Sequence, residues 1–259
     1  MIVRAKKHLG QHFLNNENIA EKIVNSLVTK PQSNVSLLEI GAGMGVLTQF
    51  LVKKEYSFYV IEIDSESIEY LISAFPSLKI ENKLIEGDFL KVDFSIFNAE
   101  KVVIIGNFPY NISSQILFKV FENKEIVPEV VGMFQKEVAE RIASKPGSKK
   151  YGILSVLLQA FYDIEYLFTV NETEFNPPPK VKSAVIRLVR NDVTHLNCDE
   201  KLFKNVIKTA FNQRRKMLSN SLKQLLEGKH ISAELAQKRP EQLSVAEFVE
   251  LTNQIANEK

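Results

Sequence analysis

Apolar residues follow two alternating patterns along roughly the first 190 residues, namely short continuous runs and stripes at helical spacing. The runs predict buried strands at residues 35–40, 56–63, 83–86, 101–106 and 129–135. The stripes predict helices at residues 16–29, 45–54, 112–122, 135–143 and 151–161. One more helix is predicted after the second strand, and this helix ends near residue 75. Because strands alternate with helices, we expect an α/β domain with a mostly parallel sheet. Further runs at residues 163–170 and 183–190 are interpreted as an antiparallel pair of strands that closes the sheet.

The pattern changes after Arg190, because residues 199–259 contain helical stripes and no convincing strand. One predicted helix carries the stripe Leu202, Val206, Ala210 and Phe211, and the next carries Leu218, Leu222, Leu225 and Leu226. Gly228 ends this second helix, and Pro240 precedes a final one. The sequence therefore predicts a small all-helical domain at residues 192–259, after an α/β domain at residues 1–191 that begins with a basic arm at residues 1–15.

The composition is that of an ordinary globular protein, with 45% apolar and 25% charged residues. This balance excludes a disordered or fibrous chain, and no uncharged apolar run approaches the roughly 20 residues that cross a bilayer. The N-terminus lacks the apolar core and cleavage site of a signal peptide. A single cysteine, Cys198, fits a reducing compartment. We therefore expect a cytoplasmic protein that does not enter a membrane.

The net charge of +2 argues against a nucleic-acid ligand until it is resolved along the chain. Eighteen of the 33 Lys and Arg residues fall in four blocks without acids, at residues 1–12, 141–151, 175–191 and 201–223. The other 196 residues then carry a net charge of −16. Folded onto one face, the four blocks would form a strong surface for an anionic ligand. Kept apart, they would be ordinary solvated faces, and charge alone does not decide between these alternatives.

A glycine cluster follows the first predicted strand, in the run Glu39-Ile40-Gly41-Ala42-Gly43-Met44-Gly45. Glycines at such a turn let the backbone approach a ligand closely, although a turn without a ligand is the alternative. Glu62 lies 21 residues after Gly41, near the spacing at which an acid binds ribose hydroxyls, and Asp64 is the competing acid. Asp88 follows the third strand, where it could contact a base or simply cap a turn. The pattern indicates a cofactor that contains a nucleoside.

The tetrapeptide Asn107-Phe108-Pro109-Tyr110 follows the apolar strand at residues 101–106, where parallel strands face a ligand crevice. An amino group on a base or amide is a poor nucleophile, because its lone pair is delocalised. Two hydrogen-bond acceptors, the Asn107 side-chain carbonyl and a backbone carbonyl at residue 108 or 109, could hold its protons. Pro109 stiffens the turn and Tyr110 offers a face for a planar base. The alternative is a proline turn with a packed tyrosine.

Together, the glycine cluster, the acid at a strand end and this tetrapeptide resemble the S-adenosylmethionine-dependent amino-methyltransferases. Three further segments narrow the resemblance, namely Lys6-Lys7-His8-Leu9-Gly10-Gln11-His12-Phe13-Leu14, Phe175-Asn176-Pro177-Pro178-Pro179-Lys180-Val181-Lys182-Ser183 and Phe211-Asn212-Gln213-Arg214-Arg215-Lys216-Met217-Leu218. With them the chain closely resembles the ribosomal RNA adenine dimethyltransferases, and among these the KsgA-type enzymes of the small subunit, from about Lys6 to Leu251. The resemblance implies a Rossmann-like methyltransferase sheet and S-adenosylmethionine as cofactor, with S-adenosylhomocysteine as product.

The resemblance also implies site residues. The cofactor would be bound by His12, Leu14, Gly41, Glu62, Asp88 and Asn107. The target adenine would be held by Asn107 and Pro109 and sandwiched between Tyr110 and Phe175. RNA would be bound by Lys6, Lys7, Lys180, Arg214, Arg215 and Lys216. The chain departs from the family at Phe108, where leucine is common, and at His12, where many members carry asparagine; the first position contributes backbone and the second stays polar and planar.

The implied reaction converts two adjacent adenines in the 3′-terminal hairpin loop of 16S rRNA to N6,N6-dimethyladenosine, late in small-subunit biogenesis. The alternatives are dimethylation of large-subunit (23S) rRNA and a non-catalytic rRNA-binding assembly factor. The triple proline and the segment at residues 211–218 favour the small-subunit branch. The four histidines lack metal-ligand spacing, so we expect no metal site. The expected partner is the small ribosomal subunit, and the expected oligomeric state is a monomer.

Overall fold

The computed structural model describes residues 3–97, 99–228 and 230–257. Two compact units divide the chain. The sheet unit runs to Ala139 and takes in Ile164–Arg190, and the helical unit contains Glu140–Asp163 and the chain from Asn191 onward. The chain passes from the sheet unit into the C-terminal part of the helical unit after Arg190, one residue before the domain boundary that the sequence predicts. The structure corrects the assignment of residues 140–163 to the first domain, because the helix at Ile153–Gln159 packs against two helices of the C-terminal part.

A seven-stranded sheet forms the centre of the sheet unit. Its strands are β2 (Val35–Ile40), β3 (Ser57–Glu62), β4 (Leu84–Glu86), β5 (Lys101–Asn107), β6 (Glu129–Gln135), β7 (Tyr162–Val170) and β9 (Ser183–Arg190), in the order β4-β3-β2-β5-β6-β9-β7. Strands β2 to β6 run parallel to one another, and β9 is antiparallel to β6. This confirms the expected Rossmann-like sheet, and it places the two last predicted strands side by side at one edge.

A second, two-stranded sheet was not predicted. Strand β1 (Phe13–Leu14) pairs antiparallel with β8 (Phe175–Asn176), with Leu14 opposite Phe175. The pair is extended by a hydrogen bond from the Asn15 N–H to the Glu174 carbonyl, at 2.8 Å. Two-residue strands leave no periodicity in a sequence, so only the structure shows that the end of the basic arm lies against the start of the triple-proline segment.

Helices of the sheet unit alternate with its strands, as α1 (Glu17–Val24), α2 (Thr48–Leu51), α3 (Ser65–Ala74), α4 (Pro76–Ile80), α5 (Ser113–Glu122) and the start of α6 (Lys136–Ile142). Two of them are shorter than predicted. Helix α1 ends at Val24 because the N–H groups of Val28 and Thr29 donate to the buried carboxylate of Glu129, at 2.9 and 2.7 Å. Helix α2 starts only at Thr48 because the glycine cluster holds the preceding residues in a turn.

The helical unit contains α7 (Ile153–Gln159), α8 (Glu200–Asn212), α9 (Leu218–Ser221), α10 (Lys223–Leu226), α11 (Ala233–Gln237) and α12 (Val245–Asn257). Helix α8 buries Phe203, Val206, Ile207 and Ala210, so its apolar face is rotated from the predicted stripe. The single helix predicted around residues 218–228 is two four-residue helices, α9 and α10. Among the described residues, no helix is long and apolar enough to cross a membrane.

Candidate functional site

A cavity opens at the carboxyl ends of the parallel strands β2 to β5. It is lined by residues at the ends of those strands, Glu62 and Asn107, and by residues just beyond them, Gly41 and Asp88. Residues 9–13 of the N-terminal segment line a further side, and apolar walls come from Ile40, Ile61, Ile63, Phe89 and Leu90. Four residues that the sequence singled out from different strands therefore meet in one concave site, as ligand sites in open α/β sheets do.

The glycine cluster needs glycine for two physical reasons. Gly41, Gly43 and Gly45 all have positive φ, at 71°, 55° and 74°, in a region that residues with a Cβ rarely adopt. A Cβ on Gly43 would also lie 2.8 Å from the Phe13 ring, and one on Gly45 would lie 2.5 Å from the Phe75 ring. The turn therefore brings backbone to the cavity without side chains in the way.

Glu62 lies at the end of β3 with both carboxylate oxygens engaged. Oε2 accepts from the Gly43 N–H at 2.9 Å, and Oε1 accepts from the N–H groups of Ile63 and Asp64 at 2.8 and 3.0 Å. Burial raises the pKa of Glu62, and these three backbone donors oppose the rise. A carboxylate offers about four acceptor sites and these donors occupy three, so Oε2 can still accept one hydrogen bond from a hydroxyl group in the cavity.

Asp64, the competing acid, is turned away from the cavity. Its carboxylate is buried and accepts from Lys6, from Ser67 at 2.9 Å and from Gln11 at 3.4 Å. Burial raises the pKa of Asp64, but these donors outweigh it and hold the pKa below its usual value. Lys6 also lies 3.4 Å from Glu66. Lys6 therefore anchors the N-terminal segment to the sheet unit, which differs from its predicted contact with RNA.

Asp88 caps a turn and also lines the cavity, so the contact with a base that the sequence suggested stays a prediction. Its Oδ1 caps the 3₁₀ turn Phe89–Lys91 by accepting from the Leu90 N–H at 2.9 Å. The same side chain lines the cavity together with Phe89 and Leu90. The cap fixes the carboxyl group while a second oxygen remains to accept a hydrogen bond.

Asn107 is the last residue of β5, and its amide is oriented by the N-terminal segment. The Nδ2 group donates to the His12 backbone carbonyl at 2.8 Å. The amide nitrogen is thereby assigned, so the side-chain carbonyl is the group left for a ligand. This is the acceptor that the chemistry of an amine target requires.

Tyr110 lies three residues after Asn107 and is held by two hydrogen bonds. Its hydroxyl lies 2.5 Å from the Ser183 hydroxyl at the start of β9, and its backbone carbonyl accepts from Ser113 at 3.1 Å. Burial raises the pKa of Tyr110, although the Ser183 hydrogen bond opposes the rise. The His12 ring lies 5.4 Å from the Tyr110 ring at an angle of 31°, and its Nδ1 lies 2.8 Å from the Pro177 carbonyl oxygen. Both His12 and Tyr110 line the cavity, as does Pro109.

Phe175 and Leu14 differ from the other predicted site residues. Phe175 is only 3% exposed, belongs to the apolar core, and does not line the cavity. Its alternative interpretation, a core aromatic beside a proline loop, describes its position, because strand pairing with β1 covers it. Leu14 lines a small adjoining cavity behind the glycine cluster rather than the main one. Of the two residues predicted to sandwich a base, the structure therefore places Tyr110 at the cavity and Phe175 in the core.

Ser183 is a residue whose role the sequence did not indicate, although it closes the triple-proline segment. Replacing Ser183 with alanine is expected to cost about 1–3 kcal/mol of unfolding free energy, because the half-buried Tyr110 hydroxyl loses its partner. Replacing Tyr110 with phenylalanine in addition removes both partners and should recover most of that loss. Urea unfolding of the two single variants and the double variant measures the coupling, and additive losses would contradict it.

Glu39 is a second residue that the sequence did not place in the site. It is 1% exposed, accepts a hydrogen bond from Thr48 at 2.7 Å, and lines the small cavity behind the glycine cluster. Burial raises the pKa of Glu39 to about 8, and the nearby Glu62 carboxylate contributes to the rise while Thr48 opposes it. Glu39 is therefore mostly protonated at neutral pH.

This raised pKa predicts a dependence of stability on pH. Between the usual glutamate pKa and about 8, the folded state holds a proton that the unfolded state has released, so stability falls as pH rises. Replacing Glu39 with glutamine should remove this contribution, which is about 1.4 kcal/mol for each pH unit across the window. Urea unfolding at pH 5 to 8 tests it, and equal slopes for both proteins would contradict the assignment.

The basic blocks meet in pairs within each unit. In the sheet unit, the contact between His12 and Pro177 brings residues 1–12 against residues 175–191, and Lys7 and Lys180 are exposed. In the helical unit, the Gly147 N–H donates to the Glu241 carbonyl at 2.6 Å, and Arg214 donates to the Ser148 carbonyl at 3.3 Å. These contacts bring residues 141–151 against the turn after α8.

In that turn, Arg215 and Lys216 are exposed, whereas Arg214 lies 3.8 Å from the Glu241 carboxylate. Residues 211–216 line a shallow concavity. Each unit thus carries a combined basic surface, and the single face expected from all four blocks stays a prediction. Among the residues that the structure describes, no three His, Cys, Asp or Glu side chains are grouped so that they could hold a metal ion.

Comparison with known proteins agrees with this geometry. The family model described as ribosomal RNA adenine dimethylase matches residues 2–257. The ribosomal RNA small subunit methyltransferase A of Cytophaga hutchinsonii is 61% identical over 257 residues, 98% of each chain. Its namesake from Bacteroides thetaiotaomicron is 59% identical over 98% of this chain and 95% of the relative. A crystal structure of a dimethyladenosine transferase from Plasmodium falciparum matches with a TM-score of 0.79 at 27% identity, over 95% of this chain and 98% of that one. The chain belongs to the ribosomal RNA adenine dimethylase family.

Proposed function

We propose that this protein transfers methyl groups from S-adenosylmethionine to N6 of two adjacent adenines in the 3′-terminal hairpin loop of 16S rRNA. The product is N6,N6-dimethyladenosine in the small ribosomal subunit. The identity of about 60% to small-subunit methyltransferases over nearly the whole chain supports this substrate. The single observation that carries the chemistry is the Asn107 amide, which His12 orients so that its carbonyl oxygen is left for an amine.

The cavity fits a cofactor of this kind. We assign the amino-acid part to the glycine turn, where the backbone of Gly41 and Gly43 lines the cavity. The Glu62 carboxylate suits ribose hydroxyls, and Asp88 beside Ile63 and Phe89 suits an adenine that is apolar on its faces and polar at its edge. When bound, S-adenosylmethionine supplies the methyl group on a positively charged sulfur.

The residues of the chain then orient the target rather than activate it by acid–base chemistry. The Asn107 carbonyl and a backbone carbonyl of the 108–109 turn accept the two N6 protons, which turns the nitrogen lone pair toward the methyl group. Such alignment is worth a large part of the barrier in group transfer. Tyr110, fixed by Ser183, provides the face on which the extruded adenine stacks. The proton that leaves N6 after transfer passes to water.

Each unit contributes its own cations to RNA binding in this proposal, and all of them are exposed except the half-buried Arg214. We assign phosphate contacts to Lys7 and Lys180 in the sheet unit, and to Arg214, Arg215 and Lys216 in the helical unit. Lys6 is left out because Asp64 and Glu66 pair with it. A hairpin loop suits this mode of binding, because its bases are cheaper to extrude than those of a duplex.

We further infer that the protein acts as a monomer in the cytoplasm, late in small-subunit assembly. Its partner is the small ribosomal subunit, and it has no membrane partner. Sedimentation of the free protein checks the first point, because a monomer of 29.5 kDa is expected.

The test is transfer of radiolabelled methyl groups to undermethylated small subunits, followed by mapping of the modified bases. Label at the two adjacent adenines of the 3′-terminal hairpin is the expected result. Transfer to protein-free large-subunit rRNA instead would favour the 23S alternative. Binding to small subunits without any transfer would favour a non-catalytic assembly factor.

A further inference from the structure

The short 3₁₀ turn Phe89–Lys91 forms the wall of the cavity beside Asp88, and it is fixed at both ends by side chains. Asp88 caps its start through the Leu90 N–H. At its end, the carbonyl oxygens of Phe89 and Val92 accept hydrogen bonds from one lysine. A single turn of this kind has little internal stability, so these two caps help to hold Asp88 in place, together with the hydrogen bond from the Gly87 N–H to the Glu62 carbonyl at 2.8 Å.

That lysine is Lys119, on the helix α5. Its Nζ donates to the Phe89 carbonyl at 2.7 Å and to the Val92 carbonyl at 2.5 Å. The same ammonium group lies 4.9 Å from the centre of the Phe89 ring and 5.8 Å from that of the Phe94 ring. Two carbonyl oxygens and two aromatic faces around one cation form a specific contact rather than a solvated surface charge.

The surroundings of Lys119 also affect its pKa. Burial lowers the pKa of Lys119, and the carboxylates of Asp88 and Asp93 oppose that shift. The pKa of Lys119 thus depends on carboxylates at and beside the turn that its ammonium group holds.

We propose that Lys119 is a positioning residue for the adenine of the cofactor and acts through Asp88. This inference rests on the proposed function, in which Asp88 accepts a hydrogen bond from the adenine amino group. Helix α5 begins just after the loop that carries Asn107 and Tyr110. Lys119 thus connects two parts of the proposed site. One is the turn at residues 89–91, beside the cofactor base, and the other is helix α5, which follows the loop proposed to hold the target base.

The test compares binding of two probes, S-adenosylhomocysteine and S-inosylhomocysteine, whose base has an oxygen in place of the adenine amino group. Lys119→Met keeps the aliphatic stem but removes the donors and the charge, and Lys119→Arg keeps both. Asp88→Asn reports on the adenine contact itself. Lys91→Met is the matched control, because Lys91 belongs to the same turn and is exposed.

The preference is the ratio of the affinities for S-adenosylhomocysteine and S-inosylhomocysteine, measured by calorimetric titration. Lys119→Met should lower this ratio about tenfold, the loss expected when a hydrogen bond to a charged group is misplaced. Binding of the inosine probe should change less than about twofold. Lys119→Arg should restore the preference to within about threefold of the wild type, and Lys91→Met should leave it unchanged.

Equal weakening of both probes by Lys119→Met would overturn the proposal, because a merely structural role gives that result. An unchanged preference in a folded Lys119→Met protein would overturn it as well, and so would a Lys119→Arg protein with the loss of the Met variant. If Asp88→Asn left the preference intact, the adenine contact in the proposed function would fail too. A loss in Asp88→Asn alone would overturn only the role of Lys119.

Discussion

Replacing Asn107 with alanine is expected to abolish methyl transfer while RNA binding stays nearly unchanged. The variant loses the carbonyl oxygen that holds a proton of the target amine, and removal of one such preorganised group lowers kcat by at least about a hundredfold. The proposed RNA contacts are cations elsewhere in each unit, so affinity for RNA does not depend on this amide. Single-turnover methyl transfer and a filter-binding titration measure the two quantities separately.

Asn111 provides a matched control for this variant. Its Nδ2 donates to the His8 backbone carbonyl at 3.3 Å, much as that of Asn107 donates to His12. Asn111→Ala therefore also loosens the N-terminal segment but leaves the acceptor at Asn107 in place. It should retain most of the activity. An Asn107→Ala protein with wild-type turnover, or an equal loss in both variants, would contradict the assigned role.

Replacing Arg214 and Arg215 together with alanine is expected to weaken RNA binding and flatten its salt dependence. Each phosphate contact contributes about 0.7 to 0.9 to the slope of log affinity against log salt concentration, so the double variant should lose about 1.4 to 1.8. Arg214 already donates a hydrogen bond to the Ser148 carbonyl and lies near the Glu241 carboxylate. We therefore expect Arg215, which is exposed, to account for the larger share.

The control for this pair removes the same charge from another surface. Lys53 and Lys79 are exposed and lie outside all four basic blocks. Their joint replacement by alanine should leave the salt slope close to that of the wild type. If the arginine pair left the slope unaltered, or if both pairs lowered it equally, the turn after α8 would not be part of the RNA site.

The core of the sheet could be predicted from the sequence because its strands are buried on both faces. The run at Val102–Ile105 is fully buried in β5, and a short continuous apolar run is typical of a strand that is covered on both sides. Elements at the protein surface were less predictable. The helix around residues 218–228 divides at Leu222, whose backbone leaves the helical region at φ −101° and ψ 6°, although its leucines keep helical spacing.

Residues 140–163 illustrate a different limit. Their helical pattern predicted α7 well, but a pattern along the chain does not show which neighbours a helix packs against. Only the contacts with α8 and α12 assign this segment to the helical unit.

For the site, the sequence predicted residues that lie at the ends of parallel strands or just after them. Glu62, Asp88 and Asn107 all line the cavity because strand ends meet at one edge of the sheet. It was less informative where a role depends on a distant partner. Lys6 is paired by Asp64 and Phe175 is covered by β1, and both contacts join segments more than 50 residues apart. Ser183 and Lys119 were missed for the same reason, since their partners are a hydroxyl and two carbonyls elsewhere in the chain.

The most direct test of the central claim is a count of methyl groups on the 3′-terminal fragment of 16S rRNA after reaction with undermethylated small subunits. Mass spectrometry of the excised hairpin resolves each added methyl group. The account predicts two methyl groups on each of two adjacent adenines with the wild-type protein, and none with Asn107→Ala. Methyl groups found only on large-subunit rRNA or on ribosomal protein, or an unmodified hairpin after prolonged reaction, would contradict it.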